Sequence, residues 1–183
     1  MTLKLLTASL CAAALSLGMA QADHGPTEVG GAAMLPERNI IQNAVHSGDH
    51  ETLVAAVQAA GLAEVLQGEG PFTVFAPVDA AFQRLPEGTV ETLLRPENQG
   101  QLQTVLTYHV VPGNLTRDDL WEAVMARDGA ASFATVQGER LTVMRNGNNL
   151  KVMDRSGNSA NLSVVDVAQA NGVIHVVDRV LLP

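Results

Sequence analysis

The chain has 183 residues, of which 46% are hydrophobic, 16% charged and only 3% aromatic, with a net charge of −8 from 11 Lys+Arg against 19 Asp+Glu. This acidic balance excludes nucleic acid as the expected partner, because a nucleic-acid binder displaces counterions with a basic face. The single cysteine, Cys11, excludes a disulfide framework or a CxxC zinc site, and a mean hydropathy of +0.13 excludes a disordered chain.

Met1 to Ala22 carries one positive residue, Lys4, then an apolar run from Leu5 to Gly18, then Ala20-Gln21-Ala22. A basic start, a short apolar stretch and small residues at −3 and −1 predict a secretory signal peptide over 1–22, cleaved after Ala22, with Ala20 a second possible position. The run is too short for the ~20 residues that span a bilayer. Cys11 would leave with the signal. The remaining segment, 23–183, has no apolar run long enough to cross a membrane, so the expected location is secreted or periplasmic. Asp23 to Glu37, with Gly25, Pro26, Gly30, Gly31 and Pro36 and little periodicity, is expected to be a flexible leader. The folded domain is expected over 38–183.

From Asn39, Ile40, Ile41, Ala44 and Val45 repeat at helical spacing until Gly48. Asp49 is placed to cap a second helix carrying Leu53, Val54, Val57 and Ala60, with Gly61 as its stop. Leu62 to Leu66 reads as another helical turn. Phe72 to Ala76 alternates as a strand that Pro77 ends. Asp79 is placed to cap a short helix carrying Phe82 and Leu85. Val90, Leu93 and Leu94 suggest a further turn. Leu102, Val105 and Leu106 stripe a helix that runs into Tyr108-His109-Val110-Val111. Thr116 and Asp119 resemble a capping box before Leu120, Trp121, Val124 and Met125.

Beyond Gly129 the period becomes two. Phe133–Val136, Leu141–Met144, Leu150–Met153 and Ser163–Val167 read as strands, with Asn146-Gly147 turning one hairpin. Asn171-Gly172 leads into an apolar β run from Val173 to Leu182, expected to be central and buried on both faces. Helices first and strands last indicate an α+β fold.

Three segments then resemble one family. Phe72-Thr73-Val74-Phe75-Ala76-Pro77-Val78-Asp79-Ala80-Ala81-Phe82 is similar to the first signature block of fasciclin domains. Tyr108-His109-Val110-Val111-Pro112-Gly113 is similar to the central tyrosine–histidine block. Asn171-Gly172-Val173-Ile174-His175-Val176-Val177-Asp178 through Pro183 resembles the last block. The three lie in the family's order, and the resemblance covers 39–183. It implies a β-wedge or sandwich with flanking helices packed at the N-terminal half. The structural signature positions are Phe75, Pro77, Asp79, Phe82, Asn171, Gly172 and His175.

The resemblance also implies candidate interaction residues. In animal relatives the tyrosine–histidine block and an Asp-Ile segment before the last strand are associated with integrin adhesion. Here these point to Tyr108, His109 and Asp166; of the second segment, Val164 to Ala168, only Asp166 and an aliphatic neighbour match. The stretch from Leu115 to Gly129, with the sole tryptophan Trp121, is longer than in short family members and is a further candidate surface.

Catalytic and metal patterns are sparse. His46-Ser47-Gly48-Asp49-His50 puts two imidazoles and a carboxylate within five residues, but Gly48 interrupts the helix that would align them. His109 and His175 are expected to be buried and hydrogen-bonded. Ser156 and Ser159 lack a nucleophile-elbow pattern. Gly68-Glu69-Gly70 places an acid where phosphate would sit. Asn114-Leu115-Thr116 and Asn161-Leu162-Ser163 are glycosylation sequons. No cofactor or metal is expected.

The expected function is therefore a secreted, non-enzymatic adhesion or interaction module, its partner a cell-surface or matrix component, protein or polysaccharide. The alternative that the resemblance implies is a carrier of an apolar small molecule, a carotenoid or lipid.

Overall fold

The structure, a computed structural model, describes residues 26–183. The segment expected to be a signal peptide, 1–22, and with it Cys11, lies outside the described residues. Among the described residues no helix is long and apolar enough to cross a membrane.

The helices come first, as their 3.6-residue spacing requires. They are α1 (Ile40–Ala44), α2 (Glu51–Ala59), α3 (Ala63–Gln67), α4 (Asp79–Phe82), α5 (Thr89–Leu93) and α6 (Gln99–Tyr108), with α7 (Arg117–Met125) between two strands. α1 begins on a capping box: the Asn39 side chain accepts from the Gln42 amide at 2.8 Å, and the Gln42 side chain accepts from the Asn39 amide at 3.0 Å. The Thr116–Asp119 pair closes the same box on α7.

α2 differs from the sequence reading. Asp49 does not cap it, and Asp79 does not cap α4 through its side chain. The Asp79 carboxylate instead accepts from the Thr52 amide at 2.8 Å and the Glu51 amide at 3.3 Å, while the Asp79 amide donates to the Asp49 carbonyl at 2.8 Å. The α2 N-terminus is thus capped across 27 residues of sequence. Asp79→Ala is expected to destabilise the chain by about 1 kcal/mol, read as a lower urea midpoint at unchanged slope. Asp49→Ala is expected to change stability by less than about 0.5 kcal/mol; an equal loss in both variants would contradict this assignment.

The segment expected to be a flexible leader holds a β-hairpin, β1 (Thr27–Val29) with β2 (Ala32–Met34). Val29 and Met34 are buried. The turn rests on the α1–α2 corner, where the Gly48 amide donates to the Gly30 carbonyl. Gly30 has φ +59°, and a Cβ there would run into Ser47, Gly48 and Asp49. Three-residue strands carry too little alternation to be read locally.

Seven strands form the main sheet: β3 (Phe72–Pro77), β4 (Val110–Pro112), β5 (Ala130–Ala134), β6 (Arg140–Asn146), β7 (Asn149–Met153), β8 (Ser159–Gln169) and β9 (Gly172–Val177). Their order is β4-β3-β9-β8-β7-β6-β5, and the β3–β9 pair is parallel. The Val136 amide just past β5 donates to the Val110 carbonyl in β4 at 2.8 Å, so the two ends of the sheet nearly meet. The result is a wedge with helices packed on its N-terminal side, as the signature blocks imply.

The paired central strands separate two cores. Val74, Ala76, Ile174 and Val176 face the helical cluster, with Val57, Leu102 and Leu106. Phe75, His175 and Val177 belong to the other side, where Phe75 and Val177 join Tyr108, Leu120, Leu141, Leu150 and Leu181 inside the wedge. Residues buried on both faces of adjacent strands produce the continuous apolar runs seen in the sequence. The last run stops being a strand at Val177 rather than Leu182. Beyond it the Leu181 and Leu182 amides donate to side chains, the His109 ring and the Asp154 carboxylate.

Candidate interaction site

The signature residues converge on the junction between the two cores. Tyr108 ends α6 and is fully buried; its hydroxyl donates to the Arg140 carbonyl at 2.9 Å and accepts from the Arg155 amide at 3.2 Å. Burial holds the phenol pKa above its ordinary value. His109 follows at the helix end. Its Nδ1–H donates to the Val105 carbonyl at 2.8 Å and its Nε2 accepts from the Leu181 amide at 2.9 Å. Those partners require the neutral ring, since a carbonyl can only accept and an amide can only donate. Burial pushes the His109 pKa down to about 4.

His175 is held in the same manner. Its Nε2–H donates to the Leu115 carbonyl at 2.8 Å, and its Nδ1 accepts from the Asp166 amide at 3.3 Å. Phe75 stacks on it at 5.7 Å between ring centroids. Burial lowers the pKa of His175 as well.

Asp166 lies where β8 slips register against β9, with φ +58°. Its carboxylate accepts from the Arg117 amide at 2.6 Å, at the first residue of α7. The residue is exposed, yet its carboxylate and its amide both have internal partners. Asn171 works as a clamp: its Oδ1 accepts from the Ile40 amide, and its Nδ2 donates to the Leu66 and Gly68 carbonyls. Pro77 and Phe82 are buried. Tyr108, His109 and His175 therefore present no side chain to a partner.

What remains accessible is the outer face of α7. Leu120 and Val124 turn inward and are buried. One residue further on, Trp121 is half-buried and Met125 is 48% exposed. Positions i and i+4 share a helix face, so these two form one apolar stripe. The Arg117 guanidinium lies 5.3 Å from the Trp121 ring centroid, and it also donates to the Asn148 carbonyl at 3.1 Å. Cation–π contact and this tether hold the indole in place. Asp118 and Glu122 are exposed beside it. Trp121 was legible as the only tryptophan. Arg117 and Met125 lie inside the Leu115 to Gly129 stretch but were not singled out within it; the i, i+4 spacing of Trp121 and Met125 was the available signal.

The paired histidines do not form a centre. His46 is exposed and its Nδ1 faces the Gln42 carbonyl, whereas His50 is buried against Ser47. Among the described residues no three His, Cys, Asp or Glu side chains converge as metal ligands. Between the helical core and the sheet lies an apolar cavity of ≈ 40 Å³, roofed by β1–β2 and α1. A carotenoid or a lipid chain is larger than this cavity, so a carrier of either would need the hairpin to move aside.

A sequence model of the family described as Fasciclin domain matches residues 48–183. Protein sll1483 of Synechocystis sp. is 47% identical over 144 residues, covering 79% of this chain and 73% of that protein. Immunogenic protein MPB70 of Mycobacterium bovis is 33% identical over 164 residues, covering 87% and 75%. Transforming growth factor-beta-induced protein ig-h3 of Sus scrofa is 36% identical over 131 residues, which are 72% of this chain but 17% of that longer protein. Among solved structures, the FAS1 domain pair of the insect cell adhesion molecule fasciclin I superposes with a TM-score of 0.71 at 18% identity, covering 80% of this chain and 51% of that one.

Proposed function

The chain belongs to the fasciclin domain family, and from that membership we propose that it is a secreted, non-enzymatic interaction module whose contact surface is the outer face of α7. The observation that carries the reading is the Trp121–Met125 stripe, accessible and stiffened by Arg117, on a domain whose signature tyrosine and histidines are turned inward. Aromatic, methionine and arginine side chains are the residues enriched at protein interfaces. The fasciclin I likeness to a cell adhesion molecule agrees with this reading. The expected partner is a cell-surface or matrix component.

Retention of the mature chain on native envelope or matrix preparations tests the proposal. The wild type is expected to be retained above an unrelated acidic protein. Replacing Trp121 and Met125 together with serine is expected to cut retention at least tenfold (about 1.4 kcal/mol) while the circular dichroism spectrum stays the same. Unchanged retention in the double variant would place the contact elsewhere.

A further inference from the structure

Residues 23–183 hold no cysteine, and their methionines are Met34, Met125, Met144 and Met153. With no thiol in that segment, the thioethers are the softest groups it offers to a peroxide. The fold treats the four unequally. Met34 is 4% exposed and belongs to the helical core. Met144 and Met153 stand half-buried on the outer face of the sheet, Met144 beside Lys151 and Met153 between Thr142 and Ser159 of the neighbouring strands. Met125 is 48% exposed and is part of neither core. Accessible sulfur is therefore concentrated on the last residue of α7, one turn beyond Trp121.

Oxidation would matter most at that point. The contact reading of α7 depends on an apolar row, Trp121 and Met125, at i and i+4. A hydroperoxide converts a thioether to a sulfoxide. The sulfur lone pair takes the terminal peroxide oxygen, and the S–O bond forms as the O–O bond breaks. The proton of that oxygen passes to the leaving oxygen, which departs as water or an alcohol. Sulfur loses two electrons and the peroxide gains them. The product sets a strongly polar, hydrated oxygen in a row that was apolar. A partner docking there must strip that hydration, a cost that the thioether does not impose.

We propose that Met125 is an oxidation site that switches the α7 surface: the thioether form docks the partner, and the sulfoxide formed by a hydroperoxide releases it. The switch rests on the reading of α7 as the contact face. The oxidation site itself rests only on exposure and on the chemistry of sulfur.

Hydrogen peroxide treatment of the mature chain, followed by peptide mass mapping, tests the site. Met125 is expected to gain oxygen at least fivefold faster than Met144 or Met153, with Met34 reacting last. Retention on native envelope or matrix preparations tests the switch. Oxidation of Met125 is expected to cut retention at least fivefold at an unchanged urea midpoint. Reduction by methionine sulfoxide reductases with a dithiol is expected to restore it. Met125→Leu keeps volume and apolarity and is expected to be retained equally before and after peroxide. The double variant Met144→Leu/Met153→Leu is expected to lose retention on treatment as the wild type does. The proposal is overturned if Met144 or Met153 oxidises as fast as Met125. It is overturned equally if the Met125 sulfoxide is retained within twofold of the untreated chain, or if Met125→Leu loses retention on treatment. An untreated wild type that is not retained overturns the α7 reading and the switch with it, while the peptide map decides the oxidation site by itself.

Discussion

Lowering the pH from 6.5 to about 4 is expected to remove on the order of 3 kcal/mol of stability through His109 alone. In the unfolded chain His109 takes a proton at its ordinary pKa of 6.5; in the folded chain it does so only near 4. Between these values the unfolded state binds the extra proton, so stability falls as pH falls. Above 6.5 the ring is neutral in both states and this contribution is flat; below about 4 it is charged in both and the loss is complete. The physical reason is the occupied ring. Nδ1–H already donates to Val105, so the new proton must enter at Nε2, where the Leu181 amide donates.

His50 and His175 shift in the same direction by burial and add to the loss with the same sign. Asp178 is held below its ordinary value of 3.8, with Asn161 hydrogen bonds opposing the effect of burial. Its contribution is lost at lower pH, so the windows separate. Urea unfolding across pH 7.5 to 4 measures the slope. His109→Gln is expected to lower stability at neutral pH and to flatten the slope. An unchanged urea midpoint from pH 7 to 4 would show that the rings titrate normally.

Gly172→Ala is expected to be the most damaging single methyl group in the chain. Gly172 opens β9 directly beside Phe72 of β3, and a Cβ at Gly172 would lie on the Phe72 carbonyl. The obstacle is backbone in the central pair of the sheet, so no rotamer change relieves it. The adjoining Asn171 cannot shift freely, because it bonds Ile40, Leu66 and Gly68. A cost on the order of 4 kcal/mol or more follows, close to the whole margin of a small domain. The measurable outcome is loss of soluble, cooperatively unfolding protein at 25 °C. Gly100→Ala is the matched control. Gly100 lies in α6 with open space around it, and alanine there is expected to stabilise by about 0.5–1 kcal/mol. Normal folding of Gly172→Ala would show that β3 and β9 can separate locally.

The strands of the wedge could be read because each repeats a local rule. Leu141 and Val143, or Leu150 and Val152, alternate with half-exposed neighbours and bury one face. The hairpin between them turns at Gly147-Asn148, one residue later than the Asn146-Gly147 reading, because Asn146 and Asn149 pair across it. The β1–β2 hairpin was not legible. Its stability comes from Val29 and Met34 docking on the helical core and from Gly30 fitting the α1–α2 corner, and both partners lie outside the segment itself. Asp79 shows the same limit: local spacing assigns it to the helix it begins, while its carboxylate serves another.

By itself the sequence determined the α+β order, the three signature blocks and the burial of the last strand, because periodicity and turn residues act over a few positions. It also indicated buried, hydrogen-bonded roles for His109 and His175. Only the tertiary structure decided which partner each polar group takes. It turned Tyr108 inward, set Asp166 on the start of α7 and left Trp121 and Met125 on the accessible face. Such pairings depend on backbone groups brought together from distant positions, and a side chain's own spacing does not encode them.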